Sequence, residues 1–190
     1  MNRFLIAFMI VAASMLEINL ASAQNYTAGK GEILVLGTAN TRSWALHTQD
    51  LDCQAAITVS ENKMKINSLI FSVKAEDLKG HNVWMNIWAY KALKAYPFEN
   101  IIYRGVLFTA STESENNFTI KIEGNLTIAG VTRITPLLVK ARVGEQGNIF
   151  CTGSTAIKMS DFKVQLPPSE NRRMAVGDEV IMSFAIELHP

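Results

Sequence analysis

From Phe118 to Arg142 the chain alternates between two chemistries with a period of two. Phe118, Ile120, Ile122, Leu126 and Ile128 share one parity, while Thr119, Lys121, Glu123, Asn125 and Thr127 share the other. Successive strand side chains point to opposite faces, so this stretch predicts a strand with one dry and one wet face. Ala129-Gly130 reads as a tight turn, glycine being free to take positive φ. Beyond it, Thr135, Leu137, Val139 and Ala141 continue the dry face of a returning strand, opposite Lys140 and Arg142. The same alternation recurs from Cys53 to Ser60, Leu69 to Lys74, Ile149 to Met159 and Val180 to Leu188. Ile33 to Thr48 reads as one or two further strands around a bend at Asn40-Thr41-Arg42. One segment breaks the pattern. Between Asn82 and Ala95, Met85, Trp88, Ala89, Ala92 and Leu93 recur at helical spacing, which predicts one amphipathic helix stopped before Tyr96-Pro97. Lys163 to Asp178, with Pro167-Pro168, Arg172-Arg173 and Gly177, reads as a long loop of the kind that is often functional.

About eight antiparallel strands, each half dry, have two ways to hide the dry face. They pair as a two-sheet sandwich or close as one barrel, and alternation does not separate the two. An eight-stranded barrel has an interior that side chains fill or that holds one small ligand.

The N-terminus stands outside this pattern. Arg3, the apolar run Phe4 to Met15 and the small residues Ala21-Ser22-Ala23 have the order of a secretory signal peptide cut after Ala23. The expectation is therefore a signal peptide over 1–23, a single domain over 24–190, and a periplasmic or secreted protein. The apolar run is shorter than the roughly 20 residues needed to cross a bilayer, so no stable membrane insertion is expected. A net charge of +1 without long Lys/Arg runs gives no footprint for nucleic acid and no polybasic cluster for an anionic membrane. Export also bears on Cys53 and Cys151, which point inward by parity. In an oxidising compartment they are expected to form a disulfide, a closure of about 100 residues that the chain-entropy account values at roughly 4.7 kcal/mol.

Signs of catalysis are thin. His47, His81 and His189 are scattered and lack metal-ligand spacing, so no metal site is expected. There is no GxSxG elbow, no phosphate-cradling glycine loop and no dinucleotide fingerprint. The reading is of a protein that is not an enzyme and uses no cofactor. Trp44, Trp84 and Trp88 suit a pocket rim as well as a core.

Several fragments in order carry a resemblance: GTANTRSW from Gly37, YKALKAYPFENIIYRG from Tyr90, EGNLTIAGVTRITPLLVKARV from Glu123, IKMSDFKVQLPP from Ile157 and VGDEVIMSFAIEL from Val176. Together, from about Gly31 to Leu188, the chain resembles the YceI-like family of lipocalin-like, polyisoprenoid-binding bacterial proteins. It departs from the family pattern at Thr41-Arg42-Ser43 before Trp44, at Phe98 to Asn100, and at the Ala129-Gly130 turn. The resemblance implies an all-β fold: an extended eight-stranded antiparallel lipocalin-like barrel, with one helix at about 82–95 beside the mouth of an apolar tunnel. It implies a long-chain isoprenoid or similar lipid as partner, sequestered or transported without chemistry. Inward parity combined with family position gives the expected tunnel lining: Trp44, Leu46, Leu69, Phe71, Met85, Trp88, Ile101, Tyr103, Leu126, Ile128, Leu137, Ile157, Phe162 and Phe184. Arg172 and Arg173 are available for a head-group phosphate, though a solvated loop is their ordinary role. The competing expectations are a filled barrel whose loops bind a protein or glycan, and a small hydrolase with its site at the mouth. Monomer and homodimer are both left open.

Overall fold

The computed structural model describes residues 23–40, 42–60, 62–164 and 175–190. The expected signal segment before Ala23 and the Arg172-Arg173 pair lie outside the described residues. The strands are β1 (Gln24–Ala39), β2 (Arg42–Thr48), β3 (Asp52–Ser60), β4 (Lys63–Lys74), β5 (Asn100–Ser114), β6 (Asn117–Ile128), β7 (Val131–Val143), β8 (Ile149–Lys158) and β9 (Glu179–His189), with helix α1 (Val83–Leu93) between β4 and β5. Every neighbouring pair is antiparallel.

Pairing of β1 with β9, Ile33 opposite Phe184 and Val35 opposite Met182, closes the sheet on itself. On its other edge β1 meets β2 and then β3 in a single register. Ile33 lies opposite Thr48 and Thr27 opposite Gln54. β2 and β3 therefore act as one long strand interrupted at residues 49–51, and the closed sheet is an eight-stranded barrel. The predicted hairpin is β6–β7, and its burial alternates residue by residue as the sequence pattern requires. Phe118, Leu126 and Ile149 are fully buried within the larger core cluster.

The hairpin turns through Ala129 and Gly130, both with positive φ (50° and 78°), which is the geometry of a two-residue turn matched to strand twist. A Cβ on Gly130 would run into the ring of Phe98. Phe98, the first of the residues Phe98 to Asn100 noted above, thus lies against this turn.

α1 fills a gap in the wall. β4 stops at Lys74, so the outer edge of β2 has no strand beside it. The crossover covers that edge instead. His47 and Lys79 exchange both backbone hydrogen bonds at 2.9 Å, and Ala75 N–H donates to the Glu99 carbonyl at 2.8 Å. The Asn82 side chain accepts from Met85 N–H at 2.9 Å and caps the helix. Lys94, in the left-handed region at φ 52°, ends it, with Lys94 N–H on the Lys91 carbonyl and Ala95 N–H on that of Tyr90. The stop is thus made before Pro97 is reached. The amphipathic expectation needs correction. Ala92 is buried and Met85, Ala89 and Leu93 are half-buried toward the barrel, but Val83, Trp84 and Ile87 are exposed and Trp88 is only partly covered. α1 is apolar on both sides. No described helix is long and apolar enough to cross a membrane.

Gly130→Ala is expected to cost roughly 1–2 kcal/mol, because alanine resists the left-handed region and its Cβ meets Phe98. A lower urea midpoint with an unchanged slope would show it.

Candidate functional site

Inside the barrel, beneath α1, lies an open cavity of about 720 Å³. It is bordered by Trp44 and Leu46 from β2, Phe71 and Val73 from β4, Met85, Trp88, Ala92 and Leu93 from α1, Ile101 from β5 and Met182 from β9. A second, smaller cavity of about 90 Å³ lies further in, and its exposed wall is apolar throughout. Ile33, Phe71, Ile101 and Met182 border both cavities and form a collar between them. The two together make an interrupted tunnel. Among the described side chains, no buried nitrogen or oxygen is left without a hydrogen-bond partner, so nothing polar inside calls for a ligand group.

Polar groups gather at one end. Asn40, Arg42, Ser43, His81 and Asn82 border the large cavity and are exposed, at the β1–β2 turn and the start of α1. That rim is held by backbone. Asn40 N–H donates to the Ala175 carbonyl at 2.7 Å, and Gly177 N–H to the Thr38 carbonyl at 2.8 Å. The motif Gly37 to Trp44 has a local reason. Gly37 pairs with Trp44 across the hairpin, and any Cβ there would strike the indole, so glycine lets Trp44 lie over the strand. Trp44 Nε1–H then donates to the Thr38 carbonyl at 3.2 Å, which leaves its apolar ring for the cavity. Just before β9, the Asp178 carboxylate accepts from Ser160 N–H at 2.8 Å and from the Ser160 hydroxyl at 2.6 Å. These bonds hold the Asp178 carboxyl below its ordinary range.

The structure places the expected lining residues as follows. Trp44, Leu46, Phe71, Met85, Trp88, Ile101, Ile128, Ile157 and Phe162 border the large cavity. Leu69, Tyr103, Leu126, Leu137 and Phe184 border the small one, together with Phe71 and Ile101. Tyr103 brings no free polar group, because its hydroxyl donates to the Thr135 carbonyl at 2.9 Å. Burial, with Glu123 adding to it, pushes its phenol up to about 12. The sequence reading passed over Ile33 and Met182 of the collar, although both lie on inward parities that the alternation shows. It also passed over the rim residues Arg42, His81 and Asn82, for which no periodic signal exists. Among the described residues, no group of three or more His, Cys, Asp or Glu side chains converges to hold a metal.

The expected disulfide is corrected. Cys53 and Cys151 are free thiols, although both border the small cavity. In the wall β1 and β9 stand between β3 and β8. Three strand steps span about 14 Å, twice the reach of a disulfide. Parity had shown that both face inward, but not how far apart the strands stand. Burial pushes both thiols up to about 12, with Cys151 and Asp52 adding to the effect at Cys53.

Comparison with known proteins agrees with this geometry. The family model of the YceI-like domain matches residues 38–188. BcnA of Burkholderia cenocepacia superposes with a TM-score of 0.65 at 14% identity, over 83% of this chain and 95% of that one. A polyisoprenoid binding domain from Saccharophagus degradans, implicated in plant cell wall breakdown, superposes with a TM-score of 0.67 at 9% identity, over 86% and 97%. The YceI protein of Campylobacter jejuni gives 0.55 at 20% identity, over 80% and 85%. At these identities the likeness is one of fold. No curated protein matches.

Both thiols are expected to resist a water-soluble maleimide in the folded protein and to react in denaturant without a reductant; a denatured chain with no reactive thiol would restore the disulfide. Stability is expected to fall at high pH. The unfolded chain releases thiol and phenol protons near their ordinary values of 9.0 and 10.0, while the folded chain holds them to about 12. The stabilisation is complete below the ordinary values and lost as pH rises toward the folded ones, so the urea midpoint should be lower at about pH 11 than at about pH 8. Tyr103→Phe should cost about 1 kcal/mol by freeing the Thr135 carbonyl, measured in the same denaturation assay.

Proposed function

The chain belongs to the YceI-like family, and from that premise we propose that it binds a long-chain, isoprenoid-like lipid in the barrel tunnel and sequesters or carries it without chemistry of its own. One observation carries this reading: a cavity of about 720 Å³ walled by apolar side chains, with its polar groups confined to one exposed rim. That volume falls in the usual range for ligand sites, about 300–1,000 Å³, which weighs against a filled barrel that works only through its loops. The superposed domain from Saccharophagus degradans is described as polyisoprenoid-binding, which supports the ligand class. At the rim the Asn82 side-chain amide and the His81 ring Nε2 are hydrogen-bonded at 2.8 Å, a contact between sequence neighbours that the carrier reading accommodates without a catalytic role.

The energetics fit a chain-like ligand. Each isoprene unit adds about five carbons, and at ~0.8 kcal/mol per buried CH₂ its transfer is worth roughly 4 kcal/mol. Ordering the chain and losing its free motion offset much of that. The head group would stay at the rim, hydrated, beside Arg42, Ser43, His81 and Asn82. The N-terminal pattern supports a carrier that works outside the cytoplasm, cut after Ala23, in the periplasm or the medium.

Organic extraction of protein purified from its native host, followed by mass spectrometry, tests the reading. A co-purifying prenyl lipid is the expected result. No such lipid, together with no uptake of added prenyl alcohols, would overturn it. The collar gives a sharper test. Phe71→Ala joins the small cavity to the large one, so preference in a graded series of prenyl alcohols should shift to longer chains. An unchanged length profile would show that the inner cavity takes no part in binding.

A further inference from the structure

α1 presents an apolar face away from the barrel. Val83 is 70% exposed, Trp84 73%, Ile87 36% and Trp88 39%. A helix on the surface of a globular domain normally turns polar residues outward, and side chains of this size grouped on one element mark an interaction site. At 100° per residue, Val83, Ile87, Lys91, Trp84 and Trp88 fall within about 140° of arc, so they form one continuous strip. Lys91 lies inside that strip and Lys94 caps its end, while Val83 to Lys94 contains no acidic residue. The carboxylates of Glu76 and Asp77 belong to the turn before the helix, where Tyr90 donates to the Glu76 carbonyl.

We propose that this face of α1 docks on the surface of a phospholipid bilayer that contains anionic lipids, with the mouth of the tunnel opening onto the membrane. Three features select this occupant. Tryptophan with aliphatic neighbours and lysine is the composition of a helix lying in the headgroup–acyl boundary, where the indole keeps its N–H wet and its ring dry. The lysines match negative headgroups and would repel the same face of a second copy. Trp84 and Trp88 border the large cavity as well as the outside, so apolar surface runs unbroken from the helix face into the tunnel. A lipid tail moving along it would stay out of water. A second copy is also disfavoured by size, since a stable interface buries about 800 Å² on each partner, more than one short helix face supplies. The proposal deepens the carrier reading and rests on it, because it states where the ligand is exchanged.

The test is vesicle flotation of the processed protein, its N-terminus fixed by intact mass, with phosphatidylcholine vesicles with and without phosphatidylglycerol. Val83 and Ile87 do not border the cavities, so V83D/I87D should leave uptake of prenyl alcohols in vesicle-free solution unchanged. The wild type should float with phosphatidylglycerol-containing vesicles and less with phosphatidylcholine alone. V83D/I87D should lower the partition coefficient by about tenfold or more, and K91E should reduce the preference for anionic vesicles. The proposal is overturned if the wild type does not float, if V83D/I87D floats equally well, or if light scattering shows a dimer that V83D/I87D splits. Flotation by a protein that takes up no prenyl alcohol would support the docking face and overturn the carrier reading alone.

Discussion

Closure of one sheet on itself governs the rest of the structure. β1 is hydrogen-bonded along both edges, to β9 on one side and to β2 and β3 on the other. That removes open edges from most of the wall and turns every inward side chain into a shared space. The width of that space follows from strand number and stagger, not from which residues point into it. Phe118 and Ile149 are fully buried and border neither cavity. Beneath α1 the interior leaves about 720 Å³ open. The wall of that space is apolar and its polar groups stay at the rim, and such a wall offers water few hydrogen-bond partners.

What could be read from the sequence follows from how local each feature is. Alternation is local, and it placed Leu126, Ile128 and Leu137 on the inner wall and delimited the β6–β7 hairpin. Helical spacing is also local, and the segment expected from Asn82 to Ala95 is α1 with its cap residues. The distance between Cys53 and Cys151 is a property of strand order around the barrel, which no parity argument reaches. The same holds for β2 and β3, whose single register against β1 appears only once both are paired. Whether the barrel was empty or full was not legible either, because volume depends on closure rather than on pattern.

The outward face of α1 has a different explanation. Periodicity put Met85, Trp88, Ala89, Ala92 and Leu93 on one face, and all five border the large cavity, but it left Val83 and Ile87 without a role. A helix with apolar residues on both sides has no single wet face for the pattern to find. In this fold that composition has a structural origin. α1 occupies the gap beside β2 where β4 has ended. It is therefore both part of the tunnel wall and part of the outer surface, and its inner residues were selected by a different neighbour from its outer ones.

A wall without charges and a rim that stays wet divide recognition between them. In the proposed complex, a head group beside Arg42, His81 and Asn82 would keep most of its hydration, contributing little net affinity and little desolvation cost. Affinity would then come from the chain, each additional buried CH₂ adding about 0.8 kcal/mol until the collar stops it. Selectivity in such a tunnel is a matter of length and branching more than of head group. The collar residues Ile33, Phe71, Ile101 and Met182 then set an upper limit that the rim does not. Phe71 and Met182 are half-buried side chains rather than locked core, and Met182 has the flexible thioether that adapts to irregular space. A tunnel limited by movable side chains accepts a range of chain lengths around one preferred value. That tolerance suits the carrier role proposed above.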